Sequence, residues 1–428
     1  MLEQVPINEL KPGMYVTQVL EQSGTLHMRS QGIVKSQSIV DTLKKKGILL
    51  LEVDIAKSKH QRNEETQVDA LVNDSSAHDS SVNNSPAHKG TAHEEQAPTK
   101  ELSASESKAH KSNPLDNASI NKANDLYENA LSIQSKFVKA LNQEAVTDLS
   151  PMTSLSHSLI ESVFDNEDAL SCLTLIKDTD NYLLEHSINC SVLTGIFCKF
   201  LGYDRDSIEQ ASLGALLMDT GMSSIPADIR RPTAALSEDD LAVLKTHVEI
   251  GVTLVEQCGD IPDLSLQVIE QHQERVDGCG YPDGLCNDEI SEFARIAAIV
   301  DTYDELTSHH PSQPSLTPMQ ALKRLSESSG LDQTLVTQFI QCIGVHPVGS
   351  LVKLKSGKLG IVSKINPKDP VSPHVMTFYS VTSNHFNEIK KIDLSHYNDE
   401  VVSGVRPEEF RINLPKFFKE VFVHQAPH

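Results

Sequence analysis

Gln271-His272-Gln273-Glu274-Arg275-Val276-Asp277-Gly278-Cys279-Gly280-Tyr281-Pro282-Asp283-Gly284 is the stretch around which this chain of 428 residues is organised. His272 stands eight residues before Gly280-Tyr281-Pro282. That spacing puts a candidate metal ligand near a helix end and a rigid, close-approach backbone just beyond it, because glycine has no Cβ and proline fixes its own φ. The layout suits a phosphate ester held beside a metal. An ordinary helix end followed by a turn fits these residues alone equally well.

Outward from this stretch the hydrophobic spacing is helical. Leu126, Ala130, Ile133, Phe137 and Leu141 trace one helix face, with the repeat near 3.6 residues that an amphipathic helix shows. Met152, Leu155, Leu159 and Val163 trace a second, and Leu184, Ile188, Val192, Ile196 and Phe200 a third that stops at Gly202. Ser237-Glu238-Asp239-Asp240 reads as a capping box opening a helix from Leu241 to Cys258, and Thr317-Pro318 opens another with proline in its first turn. The expectation is a mainly α protein with its helical domain at 116–344.

The flanks differ. Residues 1–56 alternate short apolar runs with turns, Pro12-Gly13 being the strongest turn signal, and predict a small α+β domain with one short helix over 38–46. From 57 to 115 Ser, Asn, His, Ala and Glu dominate, without Phe, Tyr or Trp, and the remaining apolar residues are too few to form a core. This segment reads as a disordered linker whose irregularly spaced histidines, His60 to His110, are solvated. Beyond Gly344, Leu351-Val352-Lys353-Leu354 and Leu359-Gly360-Ile361-Val362 flank a Ser356-Gly357 turn, and Val375 to Val381 reads as a further strand. A β-rich extension at 345–428 is expected.

Composition bounds the function. The formal net charge of -22 opposes DNA or an anionic membrane surface, since both call for a basic face. A small anionic ligand would then need local help from a metal or an arginine. No run of about 18 apolar residues exists for membrane insertion, and the acidic start at Glu3 does not resemble a secretory leader, so a cytoplasmic location is expected. The seven cysteines show no CxxC pairing and read as reduced thiols, mostly in the core.

Five groups in the helical domain are candidate metal ligands: His186, Asp219, His247, His272 and Asp301. A helical bundle can gather ligands that are distant in sequence, and mixed His and Asp suits manganese, iron or zinc better than calcium. By spacing alone, His186 and His247 fit a satisfied core histidine as well as a ligand.

Met218-Asp219-Thr220-Gly221, Ile225-Pro226, His247 with Gly251, His272-Gln273-Glu274, Asp277-Gly278-Cys279-Gly280-Tyr281-Pro282-Asp283-Gly284, Ala294-Arg295-Ile296 and Asp301-Thr302-Tyr303-Asp304 together resemble the HD-GYP family. This branch of the HD phosphohydrolase superfamily opens cyclic di-GMP in bacterial signalling. The resemblance covers about 170–350, and residues 1–56 resemble the small domain of unknown function that often precedes it. It implies an HD-type helical bundle and a hydrolase of phosphodiester type. It also implies a divalent transition metal, iron or manganese, on His186, Asp219, His247, His272 and Asp301, with Asp219 as the bridging, catalytic carboxylate. Asp277, Gly278, Gly280, Tyr281, Pro282 and Arg295 are carried over as the ligand loop. Cyclic di-GMP or a related cyclic dinucleotide is the implied ligand, with a diguanylate cyclase as a candidate partner and a homodimer as a candidate assembly.

Three positions depart from the family pattern. Met218 stands where it has a metal-binding histidine, Gln273 where it has a second one, and Met222 where it has a lysine. Its Arg-Pro-Tyr-Arg segment reads His310-Pro311-Ser312-Gln313. Two readings fit: a degenerate site, inactive or strongly impaired as a phosphodiesterase, that acts by binding nucleotide or partner, or a working metal-dependent phosphodiesterase with a reduced ligand set.

Overall fold

The computed structural model describes residues 2–22, 32–34, 40, 43–44, 48–55, 57–58, 117–143, 148–176, 182–309, 314–366, 368–410 and 412–414. The linker at 57–115, the helix expected over 38–46 and the segment 310–313 fall wholly or largely outside these residues. The chain divides into two compact units, Met1–Leu102 and Ser103–His428.

In the first unit, β1 (Leu2–Pro6), β2 (Tyr15–Gln22), β3 (Gly32–Ile33) and β4 (Ile48–Asp54) form an antiparallel sheet in the order β1-β4-β2-β3. Gly13 takes the positive φ of 94° that the turn before β2 requires. Val5, Val16, Ile48, Leu51 and Val53 meet Val40 and Leu43 in a small core.

In the second unit, α1 (Asn117–Asn142), α2 (Ser150–Thr174), α3 (Tyr182–Leu201) and α4 (Arg205–Leu217) come first. α3 is buried without a break from Glu185 to Cys198, enclosed by α1, α2, α4 and by α9, the later helix Glu292–Thr307. Enclosure explains why its apolar residues surround the axis instead of forming a stripe. Gly202 closes α3 at a φ of 85°, and Asp204 caps α4 by accepting the Ser207 N–H at 3.0 Å.

The chain continues through a 3-10 turn (Thr220–Ser224), α5 (Ala227–Arg230), α6 (Glu238–Lys245), α7 (His247–Gln257) and α8 (Asp263–Gln271) to α9, then α10 (Pro318–Ser326) and α11 (Gln333–Ile343). Ser237 caps α6, its hydroxyl accepting the Asp240 N–H at 3.1 Å. The single helix expected from Leu241 to Cys258 is two, broken at Thr246, which leaves His247 as the first residue of α7. Thr317 and Gln320 form the reciprocal capping box of α10.

β5 (Leu351–Leu354), β6 (Lys358–Lys364), β7 (His374–Ser380), β8 (His385–Asp393) and β9 (Val401–Gly404) form an antiparallel sheet ordered β8-β7-β6-β5-β9. Ser356-Gly357 makes the β5–β6 turn, with φ 78° at the glycine. Leu351, Leu359, Ile361, Met376 and Phe378 join the main helical core, while Val352, Leu354, Val362 and Val375 form a second small cluster. The sheet therefore shares its core with the helices. All seven cysteines are free, and among the described residues no helix is long and apolar enough to cross a membrane.

One close approach fixes the geometry around Asp219. A Cβ on Gly221 would overlap the carbonyl oxygen of His247, and one on Gly251 would lie 3.3 Å from the Gly221 nitrogen. Only two glycines let the turn after Asp219 lie against α7, which sets Asp219 beside His247. Gly221→Ala is expected to lower stability by about 1–3 kcal/mol through overpacking. Thermal unfolding followed by circular dichroism checks this, and an unchanged midpoint would count against the contact.

Candidate metal centre

His186 enters from near the start of buried α3, Asp219 from the turn after α4, His247 from the start of α7, His272 from the end of α8, and Asp301 from the inner face of α9. All five are buried. The fold brings them together around one carboxylate. Asp219 Oδ2 lies 3.1 Å from His186 Nε2, while Asp219 Oδ1 lies 3.6 Å from His247 Nε2 and 3.8 Å from His272 Nε2. His186 Nε2 is also 3.0 Å from Asp301 Oδ1.

The tautomers of His247 and His272 are set by their neighbours. His247 Nδ1 is 2.8 Å from the Leu244 carbonyl oxygen, and His272 Nδ1 is 2.9 Å from that of Ile269. A carbonyl only accepts, so each Nδ1 carries a proton and each ring turns its Nε2 inward. Those two Nε2 atoms are 3.3 Å apart. Two ring nitrogens this close call for a cation between them or a proton on one of them. Burial lowers the His272 pKa against the pull of Asp219, with His247 adding to the lowering, which disfavours a proton on His272 Nε2. Asp219, His247 and His272 thus form a donor set that fits a divalent metal.

His186 is held differently. Its Nδ1–H donates to Asp304 Oδ2 at 2.8 Å, which aims Nε2 at Asp219 and Asp301. A carboxylate on the far nitrogen is how metal-binding histidines are commonly oriented. Burial opposes charge on this ring, yet Cys190, Tyr182 and its hydrogen bonds to the Asp219 and Asp301 carboxylates hold its pKa well above the usual value. For Asp219 burial is likewise opposed, by the hydrogen bond and charge of His186 and then by His272 and His247, and its carboxyl stays well below the ordinary range. The thiol of Cys190 lies 3.7 Å from His186 Nε2, and His186, Cys190 and Asp301 make a second group able to hold a metal.

The three departing positions have distinct places. Gln273 reaches the centre and donates from Nε2 to Asp301 Oδ2 at 2.9 Å. Met218 is fully buried in the main core. Met222 is half-buried, and its carbonyl accepts from Arg230 Nη1 at 3.1 Å.

The loop after His272 hangs on a residue that spacing alone does not single out. The buried Glu274 carboxylate accepts the N–H groups of Asp283 at 2.7 Å, Gly284 at 3.1 Å and Leu285 at 3.0 Å. A Cβ on Gly280 would overlap the backbone of Glu274 and Arg275, so the loop can fold back only with glycine there. Tyr281 meets His247 edge-on, with centroids 6.1 Å apart at 83°. Asp277 and Pro282 are exposed, and Gly278 turns at φ 74°. Arg295 is engaged elsewhere, by an ion pair of 2.8 Å with Asp332.

Asp304, Asn189 and Tyr127 likewise support the ligands without standing out in the sequence. Tyr127 donates to Asn189 Oδ1 at 2.8 Å, and Asn189 donates to Asp304 Oδ1 at 3.1 Å. The available signal is helical spacing: Asn189 comes after His186, and Asp304 after Asp301, by three residues each, one turn along the same face.

Comparison with known proteins places the chain in a family. The family described as HD domain matches residues 171–335, and a domain of unknown function matches residues 2–152. The second match extends past the expected boundary at 56 and takes in α1. The chain is similar to a cyclic di-GMP phosphodiesterase of Pseudomonas aeruginosa, 30% identical over 280 residues, which are 65% of this chain and 67% of that protein. It is 32% identical over 141 residues to a cyclic di-GMP phosphodiesterase response regulator of Xanthomonas campestris, 33% of this chain and 37% of that protein. A solved HDG"Y"P protein of Bdellovibrio bacteriovorus gives a TM-score of 0.45 at 15% identity, over 79% of this chain and 98% of that one.

If Asp304 orients His186, Asp304→Ala should weaken manganese binding about 10- to 100-fold while the helical circular dichroism signal is kept. Titration calorimetry of the metal-free protein measures this, and equal affinity for the two proteins would refute the orienting role.

Proposed function

Because the chain belongs to the HD-GYP family, we propose that it binds a cyclic dinucleotide, cyclic di-GMP in the first instance, at the centre shared by Asp219, and that its phosphodiesterase activity is strongly reduced. The observation that carries this reading is the Gln273 amide bonded to Asp301 Oδ2 at 2.9 Å. At that place a neutral donor occupies a carboxylate oxygen otherwise available to a metal.

When bound, a divalent ion such as iron or manganese would supply a polarised phosphoryl oxygen and a water of lowered pKa. The residues of this chain do the rest. His247 and His272 hold two ring nitrogens toward Asp219, while their Nδ1–H groups donate to the carbonyls of Leu244 and Ile269. Asp304 keeps the second proton of His186 and so keeps Nε2 directed inward. Tyr281 and the Glu274-bound loop cover His247 and limit water at that edge.

With Met218 and Gln273 in their places, one site keeps Asp219, His247 and His272, and the other His186, Asp301 and the same Asp219. Three ligands plus water suffice to retain an ion. Met222 removes a positive charge near the reacting phosphate. Losing one well-placed electrostatic donor costs roughly 10² to 10³ in rate, and such losses do not simply multiply. Binding therefore outlasts turnover.

A working phosphodiesterase with a reduced ligand set is the second reading. It is supported by the intact His186–Asp304 hydrogen bond, which keeps the His186 group organised. Metal analysis of the purified protein, with a cyclic di-GMP hydrolysis assay in added manganese or ferrous iron, separates the two. The expected result is bound metal and nucleotide with little product. Robust turnover that Asp219→Ala abolishes would replace the first reading with the second. In the first reading, joint Met218→His, Gln273→His and Met222→Lys substitution should raise hydrolysis by at least roughly 10²-fold.

A further inference from the structure

Four cysteines are buried, Cys172, Cys190, Cys198 and Cys258, and a buried cysteine ordinarily packs as a small hydrophobe. Among the described residues, Cys190 alone of these four stands in a group of metal-ligating side chains, with His186 and Asp301. It follows His186 by four residues on α3, one turn along the same helix face, which sets thiol and ring side by side.

Distances place its sulfur at the centre. Cys190 Sγ lies 3.7 Å from His186 Nε2 and 3.8 Å from Nδ1, and Asp301 Oδ1 lies 3.0 Å from the same Nε2. The ligating atoms of the three residues are all within 4.8 Å of one another, and none of the three residues is more than 3% exposed. Bonds of about 2.0–2.3 Å to one ion hold its donors roughly 3 to 4 Å apart, a spread these atoms reach with little movement.

The neighbours leave the right atoms for this purpose. His186 Nδ1–H donates to Asp304 Oδ2 at 2.8 Å, so Nε2 is the ring's inward donor. Gln273 Nε2 donates to Asp301 Oδ2 at 2.9 Å, so the other oxygen, Oδ1, is the one that faces His186. Asp219 Oδ2 approaches the same Nε2 at 3.1 Å. The centre that lacks an imidazole at Met218 thus has a sulfur at Cys190.

We propose that Cys190 is a thiolate ligand of the ion held by His186, Asp301 and Asp219, and that this position takes a thiophilic divalent cation, zinc in the first instance, rather than manganese. This rests on the metal-binding part of the proposed function and adds a ligand and a metal class to it. Thiolate sulfur selects zinc, whereas carboxylate and water suit manganese. On binding, the thiol proton leaves to solvent and the sulfur electron pair forms the bond to the cation. One imidazole, one sulfur and two carboxylates make four protein donors, the number that closes a structural zinc site and leaves no position for water. Such a site ties α3 to α9 without activating a nucleophile, in keeping with reduced turnover.

The test titrates the metal-free full chain with cobalt(II), a spectroscopic stand-in for zinc whose bond to a thiolate gives a charge-transfer band in the near ultraviolet. The exposed thiols Cys279 and Cys286 are replaced by serine beforehand so that neither contributes. The band is expected to appear, to be displaced by zinc, and to vanish in Cys190→Ser while Cys198→Ser keeps it. Competition with a chelating dye should show zinc weakened at least about tenfold by Cys190→Ser, since even an outer partner of a metal ligand is worth that much, with manganese affinity changed far less. Cys190→Ala, which adds no hydroxyl, replaces the serine variant where that variant loses its helical circular dichroism signal. Cobalt bound without the band, or a band that survives removal of the Cys190 sulfur, would overturn the thiolate assignment and leave metal binding standing. Failure of the native chain to bind cobalt, zinc or manganese would overturn both.

Discussion

Asp219 offers one carboxylate oxygen to His186 and the other to His247 and His272, inside a core where all four side chains are buried. A buried carboxylate is costly unless its charge is matched and its oxygens are engaged. Here both oxygens face nitrogen, from helices that arrive independently. The turn after α4, the start of α7, the end of α8 and the first turns of α3 must therefore all meet at one point. The Gly221–Gly251 approach and the enclosure of α3 serve that meeting. The same demand gives the centre its polarity: two rings anchored on backbone carbonyls on one side, a ring surrounded by carboxylates on the other.

A second carboxylate does for the loop what Asp219 does for the histidines. Glu274 gathers three successive backbone N–H groups from Asp283 to Leu285, which closes the glycine-rich segment onto the end of α8. Charged acceptors make stronger hydrogen bonds than neutral ones. The loop is thus attached to the residue two places after the candidate ligand His272, and Tyr281 is delivered over His247. Ligand and loop are one unit because they share a stretch of only fourteen residues, Gln271 to Gly284.

Much of this was legible in the sequence. Helical periodicity located α1, α2 and α3, the caps at Ser237 and Thr317 marked real helix starts, and Ser356-Gly357 marked a real hairpin. The break at Thr246 was not legible, because the apolar spacing continues across it while the chain changes helix. Nor was the sharing of one core by helices and C-terminal sheet, since periodicity reports which face is apolar and not what covers it. The five candidate ligands could be named individually, but Asn189, Asp304 and Glu274 could not be ranked above ordinary polar residues. Their importance lies in partners distant in the chain, such as Tyr127 for Asn189 and His186 for Asp304.

By itself the sequence determined the residue types available: a glycine-rich loop ending in Tyr281-Pro282, a scattered set of histidines and aspartates, and Met218, Met222 and Gln273 in their places. Those are properties of composition and local spacing, and they survive without a fold. Only the tertiary structure decided which oxygen of Asp219 meets which ring, that the Gln273 amide reaches Asp301 while Met218 turns into the core, and that Cys190 and Asp301 meet at His186. Such facts depend on distances of a few ångströms between helices far apart in the chain, which packing fixes and sequence spacing does not encode.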